Sequence, residues 1–376
     1  MVDLARKNLL HDKLRFLITV SGVAFAVALV FVQVGLFLGL LRNASITIEH
    51  LGADLWVTSR NTPNVDFAHA FSESRVERVR SIPGVARADN LIVAFMNVNL
   101  PSGAEEGTLV YAMEDFGAWN FPWHVLEGDT EDLRRGNYVF IDESATKRFG
   151  PFAVGDYREY LGTRLKIIGR TTEARSFTTT PLSFMDYQLA QQLLRSNTGN
   201  QTMYILVKLA PGADVEHVRA ELRQRLPYND IYTSDEWATR SRNYWITSTG
   251  LGFNLGLTVF LGCLVGVVVV ALTLYTSTME HLKEFGTVKA IGGSNRNIYG
   301  ILARQALISS VVGFVLGAIP SLALRPLVSR LGGLELQITP LLMAWTFVGT
   351  VVLCLAAAML SFRKVAAIDP ALVFRG

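Results

Sequence analysis

FLITVSGVAFAVALVFVQVGLFLGLL, Phe16 to Leu41, is an uncharged run of 26 residues. Its polar interruptions are Thr19, Ser21 and Gln33. A bilayer core about 30 Å thick needs roughly 20 apolar helical residues to cross it, whereas a buried core helix is usually shorter and carries charge. The run therefore reads as a membrane span. Ala24-Phe25-Ala26 resembles a signal-peptide cleavage triplet, but the apolar run continues to Leu41, further than a cleaved leader needs. Three more runs follow late in the chain: Leu251 to Tyr275, Ile301 to Leu324 with Arg304 near its start, and Leu341 to Phe362. The fold class expected is a membrane α-helical protein with four transmembrane helices. A large α+β extracytoplasmic domain, residues 42–240, would lie between the first two.

Composition agrees. Of 376 residues, 50% are hydrophobic and 18% charged, against about 25% charged in soluble domains; mean hydropathy is +0.30. A net charge of +3 gives no reason to expect a nucleic-acid partner. The two cysteines, Cys263 and Cys354, sit inside apolar runs, where neither a metal site nor a disulfide is expected.

Lysine and arginine set the orientation. Arg6, Lys7, Lys13 and Arg15 precede the first span. Lys283, Lys289, Arg296 and Arg304 lie between spans two and three. Arg363, Lys364 and Arg375 follow the last. The loop at 325–340 has only Arg325 and Arg330. Both termini and the loop at 279–296 are thus expected in the cytoplasm, in a multi-pass protein of the inner membrane, with the large domain outside.

Within that domain, Asn43 to Leu51 has no helix breaker and is expected to continue the first span as a stalk ended by Gly52. Strands are expected at Asp54–Thr58, Leu91–Leu100, Thr108–Met113, Tyr138–Ile141, Arg164–Gly169 and Thr202–Leu209. Helices are expected at Glu73–Ile82, Asp186–Arg195 and Asp214–Leu226. Two strand–helix–strand stretches fit small ferredoxin-like layers. No His-Glu-x-x-His, Gly-x-Ser-x-Gly or Cys-x-x-Cys occurs, and His69 and His124 have no neighbouring ligand residues, so neither catalysis nor metal binding is expected. Trp119, Phe121 and Trp123 read as core, with a docking surface or amphiphile path as the alternative.

The loop after span two carries Glu280, Leu282, Lys283, Glu284, Phe285, Gly286, Lys289, Ala290 and Gly292. Glu280 and Glu284 stand one turn apart, while Leu282, Phe285 and Val288 share a face; Gly292-Gly293 then breaks the chain. This short amphipathic helix suits either membrane lipid or a cytoplasmic partner. No Gly-x-x-x-x-Gly-Lys-Ser/Thr occurs, so any nucleotide-driven work must come from another subunit.

From Glu280 to Asn295 the loop resembles the Glu-x-x-x-Glu-[Phe/Tyr/Ile]-Gly-x-x-[Lys/Arg]-Ala-[Ile/Met/Leu]-Gly coupling segment of the FtsX/MacB-type permeases, the membrane subunits of mechanotransmitting ABC systems. The opening Leu4 to Leu10, within the cytoplasmic stretch 1–15, is similar to that family's amphipathic N-terminal helix. The ending Ala367 to Arg375, within the tail 363–376, resembles its usual tail. Gly52 to Val57, Tyr244-Trp245 and Thr249 to Phe253 look closest to the DevC branch, linked to glycolipid export. The resemblance implies a homodimer with its periplasmic domains on top, and a separate ABC ATPase that binds ATP-Mg and grips Glu280 to Asn295. It also implies a periplasmic adaptor and an outer-membrane duct. The FtsX branch, which controls cell-wall hydrolases, is the alternative; a merely anchored receptor or enzyme is a third.

Gly35 and Gly39, Gly252 and Gly256, Gly262 and Gly266, and Gly313 and Gly317 are each four apart in a span, a spacing that lets helices approach closely. They serve either packing within one chain or a dimer. Gln33 and Asn254 need hydrogen-bond partners in lipid and are expected to face protein.

Overall fold

The structure, a computed structural model, describes residues 13–178, 180–194, 200–280, 294–332 and 335–366. These form two compact units, one within residues 40–251 and the other within 1–39 and 252–376.

The first unit is β-rich. Its strands are β1 (Leu55–Ser59), β2 (Phe71–Ser72), β3 (Val85–Asn99), β4 (Glu105–Met113), β5 (Val125–Glu127), β6 (Tyr138–Asp142), β7 (Tyr157–Tyr160), β8 (Thr163–Thr171), β9 (Leu182–Asp186), β10 (Gln201–Thr202), β11 (Tyr204–Leu209) and β12 (Asn229–Thr233). The main sheet runs β12-β1-β11-β3-β4-β9-β6-β8-β5. β7 pairs with both β3 and β8, and β10 with β2. Each of the first four strands in that order runs antiparallel to its neighbour. Helix Arg75–Arg80 lies between β1 and β3, and helix Val215–Arg225 between β11 and β12. That is the ferredoxin-like arrangement expected from the two strand–helix–strand stretches.

Alternation explains how this sheet is buried on both faces. Leu55 and Val57 pack with Val76, Val79, Val218 and Leu222 of the two helices. Trp56 points the other way, into a second core with Tyr204, Leu206 and Trp237. Everything from β4 to β10 is inserted between the second and third strands of the ferredoxin-like layer. Parallel pairing of β4 with β9 and of β6 with β8 holds the insertion together. Its core contains Phe121, which packs on Phe184, Trp123 and Tyr111. Trp119, Phe121 and Trp123 are all buried, so the alternative of an exposed docking surface falls away. Trp119 also donates its indole N–H to Asp89 at 2.8 Å, which satisfies that buried polar atom.

The second unit is helical. Helices Lys13–Asn43, Leu251–Glu280, Asn295–Gly332 and Pro340–Ala366 contain four stretches long and apolar enough to cross a membrane: Phe16–Asn43, Leu251–Thr273, Tyr299–Val328 and Pro340–Met359. Their shared core includes Val23, Val27 and Phe31 of the first helix, Val270 of the second, Ala306 of the third and Ala357 of the fourth. Phe314 meets Phe31 and Phe347 edge-on.

Candidate functional site

Two peptide segments lead out of the β-rich unit toward the spans, and the unit ties them to each other. The first is not the continuous stalk that the sequence suggests. Its helix stops at Asn43 and a new one runs from Ile46 to Leu51, closed by Gly52 in the left-handed conformation at φ 62. The break has an external cause. The Ala44 carbonyl accepts the Ser241 hydroxyl at 2.7 Å. The Ser45 hydroxyl donates to Glu49 at 2.9 Å.

Ser241 belongs to the second segment, helix Ser234–Asn243. Its start is fixed by a capping box between Thr233 and Glu236. Glu236 also takes a two-point contact from Arg219, at 2.7 and 3.0 Å. Trp237 is fully buried beneath the sheet and stacks on Tyr232. After Asn243 a π-helical turn spans Tyr244–Ser248, and Gly250, at φ 71, precedes the second long helix. Such turns inside helices often mark functional sites.

Two kinds of contact join the segments, and a third anchors the second segment to the loop between β8 and β9. Ser241 bonds Ala44. Arg242 reaches Glu49 at 2.8 Å and Ser45 at 2.9 Å. The Trp245 ring stacks on Phe177 with centroids 3.9 Å apart and planes 8° from parallel, beside Ala44. Arg242 and Glu49 are both partly exposed, and such pairs contribute about 0–1 kcal/mol. A buried aromatic stack contributes about 0.5–1.5 kcal/mol beyond the area it removes from water. The stack is therefore the stronger fastening. Phe67 closes the group, 5.8 Å from Trp245 and 6.1 Å from Tyr244.

Asp66 lies beneath this joint. It is 5% exposed and accepts the backbone N–H of Phe177. Burial, only partly offset by that bond, pushes its carboxyl up to about 7. The neighbouring Tyr111 hydroxyl donates to Thr47 at 3.1 Å, which ties helix Ile46–Leu51 to β4. Nothing in the sequence singles out Asp66, because its environment comes from segments far apart in the chain.

In the helical unit the glycine pairs divide. A Cβ on Gly35 would fall 2.8 Å from Leu336, and one on Gly39 would collide with the Glu335 carbonyl oxygen. The Gln337 N–H donates to the Gly35 carbonyl at 3.0 Å. This first pair thus admits the extended segment before the fourth helix. Gly262 and Gly266 receive Leu29 and Ala26 of the first helix, and Gly313 and Gly317 receive Val23 and Val27. Gly256 meets nothing within 4 Å, and Gly252 lies in the first turn of the same helix. Asn254, expected to face protein, is exposed; packing reaches Gly262 and Gly266 but leaves the helix's opening turns uncovered. Glu280 ends the second long helix. Leu282, Lys283, Glu284, Phe285, Gly286, Lys289, Ala290 and Gly292 lie outside the described residues.

Comparison with known proteins follows the same division. The family model for the MacB-like periplasmic core domain matches residues 16–225, and that for the FtsX-like permease C-terminal region matches residues 256–370. A Mycobacterium tuberculosis protein described as an ABC transporter permease is 26% identical over 384 residues that cover all of both chains. A Methanocaldococcus jannaschii ABC transporter permease is 19% identical over 88% of this chain and 86% of its own. Among solved structures, the periplasmic region of MacB from Actinobacillus actinomycetemcomitans is similar at TM-score 0.40 and 12% identity, over 50% of this chain and 92% of that one. The extracellular domain of the ABC-type transporter YknZ from Gram-positive bacteria is similar at TM-score 0.36 and 14% identity, over 48% and 99%. With one family model covering more than half of its length and a second covering most of the remainder, the chain belongs to the ABC transporter permeases of the MacB and FtsX type.

Proposed function

We propose that this permease passes the motion of a separate ATP-hydrolysing subunit to its β-rich domain, and that the motion drives export of an amphiphile such as a glycolipid. In this reading both termini and the loop at 279–296 face the cytoplasm, and ATP-Mg sits on the ATPase. Glu280 to Asn295 docks in a groove of that subunit. Two copies of the chain pair, and the uncovered turn around Asn254 and Gly256 offers a face for pairing. A periplasmic adaptor and an outer-membrane duct, as in the DevC branch, receive the substrate.

The observation that carries the reading is the joint. A domain merely tethered to two spans has no need to fasten its entering and leaving segments together. Here Ser241–Ala44 and Arg242–Glu49 do so within a few residues, while Trp245 on Phe177 anchors the leaving segment to the loop between β8 and β9.

The test uses Glu284→Lys and Gly286→Trp in the full chain, co-expressed with its ATPase subunit. The reading expects both variants to insert normally, to lose the ATPase on co-purification, and to lose its stimulation. Wild-type values of both for the two variants would refute the docking assignment.

A further inference from the structure

The far half of β3 alternates, burying Met96 and Val98 and turning Phe95, Asn97 and Asn99 the other way. Phe95 is 48% exposed, and Phe67, in the loop between β1 and β2, is 39% exposed. Their rings stand 6.2 Å apart, and Phe67 is 6.1 Å from Tyr244. The three rings make one apolar patch on the β-rich unit. Along β3 it ends where Asn97 and Asn99 make the same face polar.

The chain itself fixes where this patch lies. Asn43 ends the first apolar stretch, and Leu251 begins the second. Ala44, the residue after Asn43, packs with Trp245 and Phe177, and Phe67 is 5.8 Å from Trp245. At helical spacing the rise from Tyr244 to Leu251 is about 10 Å. Headgroups add about 5–8 Å to each side of the hydrocarbon core. Phe67 therefore lies within a side chain's reach of the headgroup layer, whichever of the two tethers is followed.

Area and charge favour lipid over protein as the occupant. An aromatic side chain has about 150–250 Å² of surface, so these partly exposed rings offer roughly 200 Å² together. A stable protein partner or second copy covers about 800 Å² on each side. A bilayer needs no such area, because the two spans already hold the unit against it. The loop between β1 and β2 also presents no carboxylate to the headgroups: its one acidic residue, Asp66, is buried, while Arg60 and His69 are exposed. That balance suits a surface containing anionic lipid.

We propose that Phe67, Phe95 and Tyr244 form a membrane-surface contact, with the two phenylalanine rings seated in the headgroup layer of the leaflet next to the β-rich unit. Phenylalanine on an otherwise polar surface enters the boundary between headgroups and acyl chains, and tyrosine gathers at the same level. The contact gives the β-rich unit a hold on the bilayer besides its two tethers. Because Phe67 packs on Trp245, any motion of the leaving segment must drag these rings through lipid or lift them from it. The contact needs only the spans, so it stands or falls apart from the export reading.

The test is fluorescence quenching in the full chain with Cys263→Ala and Cys354→Ala. A bimane is attached at His69→Cys, beside Phe67, or at Glu216→Cys. Glu216 lies on helix Val215–Arg225, which packs on the opposite face of the sheet from Trp237. Each protein is reconstituted in vesicles of phosphatidylethanolamine and phosphatidylglycerol, part of the lipid bearing a headgroup nitroxide. Strong quenching at 69 and background quenching at 216 are expected. Adding Phe67→Ser and Phe95→Ser should remove the difference. The first comparison needs no aromatic variant, so poor folding of the double-serine protein cannot protect the proposal. Equal quenching at both positions would overturn it, as would a difference that survives loss of both rings. A disulfide between two copies at position 69 without quenching would assign the face to a second copy and overturn it too.

Discussion

Replacing Asp66 by asparagine should stabilise the protein, and by an amount that depends on pH. Buried under the joint, the carboxyl holds its proton to about pH 7, whereas in the unfolded chain it releases it near 3.8. The sign follows from linkage. Between these values the folded state carries a proton that the unfolded state has lost. Folding stability therefore falls as pH rises from 3.8 through 7, and levels off above. At about 1.4 kcal/mol per tenfold, the ionised carboxylate costs about 4 kcal/mol at pH 8. Part of this is already lost at pH 5, so the variant's advantage should widen by about 2–3 kcal/mol between pH 5 and pH 8. The asparagine amide keeps an oxygen to accept the Phe177 N–H, so the joint itself is preserved. In a domain of this size, with about 2–4 °C per kcal/mol, the melting temperatures should diverge by roughly 4–12 °C. The assay is intrinsic-fluorescence melting of both full chains in the same detergent at several pH values. Other titrating groups are common to both proteins and cancel in the difference. A difference that stays constant from pH 5 to pH 8 would refute the reasoning, because Asp66 would then ionise at its ordinary pH.

Two further substitutions separate strong from weak contacts. Trp245→Ala removes the stack on Phe177 and should destabilise by about 3–5 kcal/mol, while Arg242→Ala should cost less than about 1 kcal/mol; denaturant melts of the two variants compare them, and equal losses would contradict the ranking. Gly39→Val should disrupt the helical unit, since its Cβ collides with the Glu335 carbonyl oxygen, whereas Gly256→Val should leave the monomer's melting temperature unchanged and lower only its tendency to pair, read by size-exclusion chromatography with light scattering.

What the sequence discloses follows from the range of each signal. The spans are legible because length without charge is itself the physical requirement. The ferredoxin-like layer is legible because β1 and β11 are short apolar runs, and Asp214 caps its own helix from the residue before it begins. β9 is not: it has five residues, and its place depends on pairing with Leu109 to Met113, some 73 positions earlier for Leu182. The break at Ala44 escapes for a related reason. Ser241, whose hydroxyl claims the Ala44 carbonyl, lies 197 residues away, and no local propensity reports a competing donor at that distance. The glycine pairs are visible as motifs, but the spacing cannot say what fills them. At Gly35 and Gly39 the occupant is an extended segment rather than a helix.

The same break bears on how the joint works. A continuous helix running from span into domain would be stiff along its axis but free to turn about it, since a single rod resists twist only through its own attachment. Stopping the helix at Asn43 and handing the Ala44 carbonyl to Ser241 changes this. The end of the first segment is now held by the second at a point off the axis. Arg242 on Glu49 adds a second point, and Trp245 on Phe177 holds the second segment to the loop between β8 and β9. Two points of attachment resist rotation as well as separation. Rotation of either segment must then carry the other, and through Trp237 and Glu236 the sheet and helix Val215–Arg225 with it. The hydrogen bonds set direction, while the buried rings supply most of the cohesion. Loosening the rings should therefore cost coupling before it costs the fold of the ferredoxin-like layer, whose own core at Val57, Val79, Val207 and Leu222 contains none of these residues.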